Sequence, residues 1–463
     1  MKVSASNSHT SRPVNNLLKI RRGGGLYPKR CVSAFLTVTL FLQVLLSAIL
    51  PVSAFAATQT FNQPFADGTF TFSYDNANPT NGATLTAFTG GIDPGNLIDL
   101  VIPDSINPSG TQAYDVKVIS SSVFLNKSGI QSLVLPNHLT SIGGSAFRGC
   151  LNLGEEIRFP ATLTTMGTYA FSGIAIQREG SLVFEGATDG TASLTAIPDF
   201  AFDGSTYLTG DLIIPASVTS INGANPNGCA FRNSFTTGNG RLIFVDTASN
   251  PSQLTFIGQN SFYNATGLQG DLTIPASVVT ISRWAFTNAF KNGTGTLTFA
   301  GTDDDTSSLT TIDDGAFTGA TGLRGNLTIP KSVTRIGVNT FQNSFTTGSG
   351  ALTFVGANDG SSMLASIGNN AFQNAVGLKG NLSIPASVET IGAYAFANSF
   401  TVGNGSLTFA GVDDDTNSLT SIGDYAFDAT AGLTGNLTIP RKVKSIGGYA
   451  FRNSFTSGTG TLI

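Results

Sequence analysis

The apolar positions of this chain come round on a fixed beat. Across Gly325–Phe341 the order is Leu327, Ile329, Val333, Ile336 and Phe341, and the same spacing returns in 380–396 and 435–451. Leu327 and Ile329 alternate with Thr328, which predicts a strand with Leu and Ile inward and Thr outward. Pro330 then ends it, having no N–H for a ladder. Val333 and Ile336 predict a second short extended piece, and Gly337 a bend. Ile-Pro pairs at 274–275, 329–330, 384–385 and 439–440 set the period at 55 residues.

A finer unit ends in Ala-Phe. Its Phe falls at 147, 171, 202, 231, 262, 286, 317, 341, 372, 396, 427 and 451, and from 231 onward the steps alternate between 31 and 24 residues. Each period is therefore a short and a long turn, and a degenerate turn ending at Phe124 brings the count to about thirteen. One such unit cannot bury its apolar face alone, so the period predicts a mostly β solenoid with the phenylalanines stacked inside. With coils a strand spacing apart, the stack would be on the order of 60 Å long. Some turns add a second Phe four residues on, as in Phe286/Phe290 and Phe341/Phe345, which predicts a short helical turn carrying both rings on one face. The extra residues of the long turns fall at 185–193, 245–253, 300–308, 355–363 and 410–418. They are rich in Gly, Asp, Asn, Ser and Thr, so five exposed loops should project from one edge about 10 Å apart.

The run SVTRIGVNTF, preceded by L-T-I-P and repeated a dozen times with small changes, resembles the BspA-like leucine-rich repeats of bacterial and protist surface proteins. The resemblance runs from about Thr69 to the end. GTFTFSYDNANPTNGATLTAFTGG, DLVIPDSI and YDVKVISSSVF are similar to the segment that opens such arrays. It implies a curved right-handed solenoid used for adhesion or protein interaction, and no catalytic residues. Two departures stand out: the Cys that often follows Ala-Phe in the family is found only as AFRGC at Cys150, and the short–long alternation is not the plain pattern.

The first 56 residues stand apart. They hold seven Lys/Arg and no Asp or Glu, an apolar run from Val32 to Leu50, and Ala54-Phe55-Ala56. Basic, apolar, then A-x-A is the order of an export signal, with an uncleaved anchor as the alternative because the run approaches the roughly 20 residues of a membrane span. The expected organisation is a signal or anchor over 1–56, an opening β segment over 57–110 and repeats over 111–463. Gly460–Ile463 begins a further strand, so the array is expected to continue or to pair end to end. Seven of the 24 basic residues lie in the leader and none of the 28 acidic ones. The rest therefore carries 17 basic against 28 acidic side chains, a net charge of −11, which disfavours nucleic acid as a partner. Cys150 and Cys229 lie three turns apart, on the order of 14 Å, too far for a disulfide.

Candidate chemistry is sparse. His138 is the one histidine after the leader, and a Cys150–His138 pair would be the only Cys–His nucleophile available. Asp303, Asp304, Asp305 and Asp413, Asp414, Asp415 occupy equivalent loops, with Asp189, Asp246 and Asp359 in the others. They are weak Ca²⁺ candidates, since the spacing matches no calcium loop. A polysaccharide-cutting β-helix enzyme would need a unique carboxylate cluster, whereas these acids follow the repeat. The outward strand positions Thr273, Thr298, Thr328, Thr353, Ser383, Thr408 and Thr438 predict a polar ladder as the binding face. Tyr169, Trp284, Tyr394, Tyr425 and Tyr449, each two residues before the Phe, add aromatic contacts. The expectation is an exported, non-enzymatic protein without cofactor that meets an extracellular protein or glycan, or else a spacer presenting another domain. Membrane contact is expected only through the N-terminus.

Overall fold

The structure, a computed structural model, describes residues 58–66, 68–222, 228–412, 415–456, 460, 461 and 463. The leader therefore lies outside the described residues, as do Asp413 and Asp414.

Three antiparallel strands open it: β1 (Thr58–Phe65), β2 (Gly68–Asp75) and β3 (Ala83–Gly90). Strand β3 then pairs in parallel with Tyr114–Ile119, where the coils begin. Phe70 and Phe88 sit 6.4 and 5.6 Å from the ring of Phe124, so this meander covers the first ring of the core. From there each coil contributes a two-residue strand, such as Thr311–Ile312, to a parallel ladder. Ten of these form one sheet from Ala196–Ile197 to Ser445–Ile446.

That sheet is separated from the preceding one, which ends at Thr165–Met166, and the chain supplies a reason. The residue after the inward Ile, or Met166 in its place, donates its N–H to the coil before, as Gly167 does to Ile142 and Asn222 to Ile197, at 2.8 and 2.9 Å. At the junction that residue is Pro198, which has no N–H to give.

The L-x-I strands behave differently. Leu327–Ile329 pairs with Leu352–Phe354, and Leu272–Ile274 with Leu297–Phe299, within each 55-residue unit. Between these units the link shrinks to a single bridge, Gly295 to Leu323 or Gly350 to Leu378, or to the two-residue pairing of Gly405–Ser406 with Leu433–Thr434. Within a unit the backbones come very close: a Cβ on Gly350 would lie 1.8 Å from the carbonyl oxygen of Gly325. The bend expected at Gly337 has a related cause. Its φ is not positive; a Cβ there would lie 2.5 Å from the amide nitrogen of Asp314, so the glycine is needed for coil-to-coil approach.

Inside runs an unbroken column of thirteen phenylalanines from Phe124 to Phe451, with successive ring centroids 4.9–5.6 Å apart and nearly parallel planes. Each Phe N–H donates to the carbonyl one residue before the next Phe, Phe286 to Ala316 and Phe341 to Ala371 at 2.7 Å. Among the described residues no element is an α-helix; the one helical segment is the short 3₁₀ turn Pro79–Asn81. The Ala-Phe segments are hydrogen-bonded turns, and the second phenylalanines sit in the left-handed region, Phe290 at φ 54° and Phe345 at φ 51°. They are buried all the same, with Phe345 6.2 Å from Phe341. Left-handed backbone costs on the order of 1–3 kcal/mol. Burying the ring returns about as much.

Phe317 has a ring above and a ring below. Phe317→Ala should cost about 3–5 kcal/mol. Urea unfolding would read this as a lowered midpoint, and an unchanged midpoint would remove the ring column from the account of stability.

Candidate functional site

The outward strand residues form pairs rather than one ladder. Thr273 faces Thr298, Thr328 faces Thr353 and Ser383 faces Thr408, while Thr438 lies outside any described strand. Because the L-x-I strands pair fully only within units, a cleft opens at the unit boundary. Thr298 and Thr328 stand on its two sides, Thr296 and Asn326 line it, and Asp303 and Asp304 close one end; its volume is about 510 Å³. Two groups of residues that looked separate in the sequence, the threonines and the acidic loop, thus share one surface.

The loop acids are largely occupied. Asp304 accepts the backbone N–H and hydroxyl of Thr306 at 3.2 and 2.7 Å. Asp189 holds Thr191 in the same way, and Asp359 accepts the N–H of Ser361. These hydrogen bonds, the side-chain ones first, hold the carboxyls of Asp189, Asp304 and Asp359 below the ordinary aspartate value. Asp305 pairs with Lys331 of the next coil at 2.6 Å, and the carbonyl of Asp415 takes the ammonium of Lys442. Asp246 caps its own loop through the N–H of Ser252. Among the described residues no three acidic, His or Cys side chains are grouped so as to hold a metal ion. Millimolar Ca²⁺ is accordingly expected to leave the melting temperature unchanged; a rise would show that the loops do gather oxygen ligands.

His138 is exposed at its bend, whereas Cys150 is fully buried. The thiol donates to the Phe124 carbonyl at 3.2 Å, and burial pushes its pKa up to about 12. Ser234 makes the same bond to Phe202 at 2.6 Å, as Ser344 does to Phe317 and Ser399 to Phe372. The family's cysteine position therefore serves as a short donor to the coil before, and serine fills it equally well. Neither Cys150 nor Cys229 is in a disulfide.

Two further columns flank the Phe. The position two residues after it needs positive φ and is filled by Asn or Gly in every coil but one, for instance Asn264 at 60° and Gly319 at 69°; the exception is Ala429 at 57°. Where asparagines are adjacent they bond coil to coil, Asn288 to Asn264 and Asn264 to Asn233, at 3.0 and 2.9 Å. The recurrent F-x-N in the sequence was the signal for this ladder. The position two residues before the Phe is also left-handed and carries the surface aromatics. Tyr394, Tyr425 and Tyr449 stack at 4.7 and 5.1 Å, and Tyr169 stacks on Phe200 at 4.5 Å. Arg148 lies over Tyr169, and Arg452 lies over both Tyr425 and Tyr449.

A family model described as the BspA type leucine rich repeat region matches residues 117–236, 243–349, 288–404 and 414–459, well over half of the chain. The chain belongs to this BspA-type leucine-rich repeat family. Among solved structures, the array is similar to a leucine-rich repeat protein from Bacteroides ovatus, at 19% identity and a TM-score of 0.44, over 87% of this chain and 100% of that one. A second, from Eubacterium ventriosum, matches at 19% identity and a TM-score of 0.40, over 86% and 96%. A leucine rich cell surface protein from Faecalibacterium prausnitzii matches at 19% and 0.36, over 88% and 95%. No curated protein matches the chain.

Within this BspA-type array, the Cys150 thiol should stay protonated and resist alkylation at pH 8 until the chain unfolds. Its folded value lies above the unfolded one of 9.0, so its contribution to stability is full below pH 9 and is lost as pH rises from there towards about 12. Alkylation followed by mass spectrometry checks the first point, and labelling of Cys150 in the native chain would contradict it. Cys150→Ser should keep the melting temperature within a few degrees, whereas Cys150→Ala should lower stability by about 1 kcal/mol.

Proposed function

We propose that the chain is exported by its first 56 residues and works outside the cell as a non-enzymatic adhesion or interaction scaffold. The coil interior is filled by phenylalanine and aliphatic side chains, so recognition belongs to the outer surface. The observation that carries this reading is the cleft where Thr298, Thr328, Asp303 and Asp304 meet. A second hollow lies between the loops at 355–363 and 410–418, lined by Asn358, Asp359, Ser387, Thr416 and Ser418. Hydroxyls, amides and carboxylates at coil spacing suit many weak polar contacts with an extracellular protein or glycan, where avidity along the array raises a low single-site affinity. With a net charge of −11 after the leader, that surface favours partners offering donors or positive charge over anionic ones.

The test is attachment of the full chain to matrix-coated surfaces and host cells. Cutting the loops at 300–308 and 355–363 to the length of the short bends, together with Thr298→Ala and Thr328→Ala, should lower attachment on the order of tenfold. Attachment equal to that of the unaltered chain would move recognition off this edge. Mass spectrometry of the exported protein should find an N-terminus near residue 57; a chain beginning at Met1 would leave an anchor instead.

A further inference from the structure

The column of surface aromatics has one member that does not stack. Trp284, the sole tryptophan of the chain, is followed one coil later by Gly315 and preceded by Asn260. Its indole lies across Gly315: a Cβ at that glycine would stand 2.3 Å from Trp284 Cδ1. Where Tyr394 meets Tyr425, ring covers ring; where Trp284 meets Gly315, the glycine offers no ring and the indole settles over its backbone, with Trp284 about as exposed as the stacked Tyr394. Its backbone is left-handed at φ 57°, a costly conformation for a bulky residue.

Around this ring lies a groove of about 370 Å³. Asn260, Trp284 and Asn339 form one wall, and Arg232, Tyr263 and Thr318 form the other. It crosses four coil steps of 5.0–5.3 Å each, measured between the phenylalanine rings beneath. It shares no residue with the threonine cleft. Charge in and beside it is already matched. Arg232 is bound to Asp203 through two hydrogen bonds of 2.9 and 2.8 Å, and Arg283, whose guanidinium lies over the indole, is paired with Asp314 at 3.0 Å.

We propose that this groove is a binding site for a short neutral oligosaccharide. An indole face takes the C–H face of a pyranose, because the electron-rich ring attracts the slightly positive hydrogens. Thr318 already gives its hydroxyl proton to the Asn339 carbonyl and Asn339 Oδ1 accepts from Asn370, so the walls serve the sugar hydroxyls through the remaining lone pairs of that hydroxyl and the amide N–H groups of Asn339. The paired guanidiniums leave no net positive charge to select an acidic sugar or a phosphate. The coil step is close to the length of one pyranose, so successive sugar units meet equivalent positions on successive coils. The volume lies at the lower end of the roughly 300–1,000 Å³ of small-molecule sites, which fits a short saccharide. This site is independent of the threonine cleft, and either can fail without the other.

The test begins with the full chain on a printed array of neutral and acidic glycans. Neutral glycans that bind are then titrated as free trisaccharides while the emission of Trp284 is followed. The expected result is binding to neutral glycans and a saturable emission change with a dissociation constant of millimolar or tighter. Gly315→Asn tolerates the positive φ but drives the indole from its place, and should weaken binding at least tenfold. Trp284→Ala lacks the fluorophore, so it is titrated by calorimetry beside the unaltered chain, and it should abolish the heat of binding. Thr298→Ala should leave it unchanged, and all three variants should melt within a few degrees of the unaltered chain. Binding to acidic glycans alone, an array without neutral hits, or titrations unaltered by both Gly315→Asn and Trp284→Ala would overturn the proposal.

Discussion

Everything in this chain is subordinate to the axial rise of one coil. Phenylalanine N–H groups donate along the axis to the next coil at 2.7–2.8 Å, and the rings beneath follow at 4.9–5.6 Å. The spacing is close to that of neighbouring strands in a sheet, about 4.7–4.9 Å, since the same bond sets both. A side chain that is larger than its neighbours along this axis has nowhere to go. From Phe147 onward the residue before the Phe is accordingly a buried Ala, Ser or Thr, and where it is Ser261 or Thr340 the hydroxyl turns back to a carbonyl of its own turn; only the first ring, Phe124, follows a valine. Glycine appears where backbones nearly touch, and a small donor, Ser or Cys150, where a phenylalanine carbonyl would otherwise lose its partner.

The alternation of short and long turns gives the regular core an irregular outside. Each long turn leaves the strand after Phe299 or Phe354, makes an Asx-type loop on Asp304 or Asp359, and returns to the bend of the preceding coil. Strand pairing then runs three residues within a unit and shrinks to one or two between units, which is where the threonine cleft opens. In the surface aromatic column, equivalent coils two periods apart set Trp284 opposite Gly315 and Tyr394 opposite Tyr425, so residue identity alone makes the difference between a groove and a closed stack.

The coil was legible from sequence because it depends on positions that repeat: Leu, Ile, Val, Pro and Phe at fixed offsets specify strand, stop and core without reference to anything distant. The local backbone was not. Phe290 and Phe345 at helical spacing read as a helical turn, yet their φ values are positive, because inter-coil hydrogen bonds outweigh local preference. Gly337 read as a bend and proved to be a contact. The threonines read as one ladder because sequence spacing cannot show that pairing stops at Gly295. The acids read as candidate ion ligands because their hydrogen bonds to Thr306, Thr191 and Ser361 are made two residues away, within the loop. The unstacked state of Trp284 depends on Gly315, thirty-one residues on, and becomes visible only when coils are laid in register.

The axial hydrogen bonds give the most direct test of this account. Native-state amide exchange should find the N–H groups of Phe147 through Phe427 among the slowest in the chain, with the loops at 300–308 and 355–363 among the fastest. Phenylalanine amides that exchange as quickly as those loops would show that the coils are not joined through this column, and the arrangement built on it would fall.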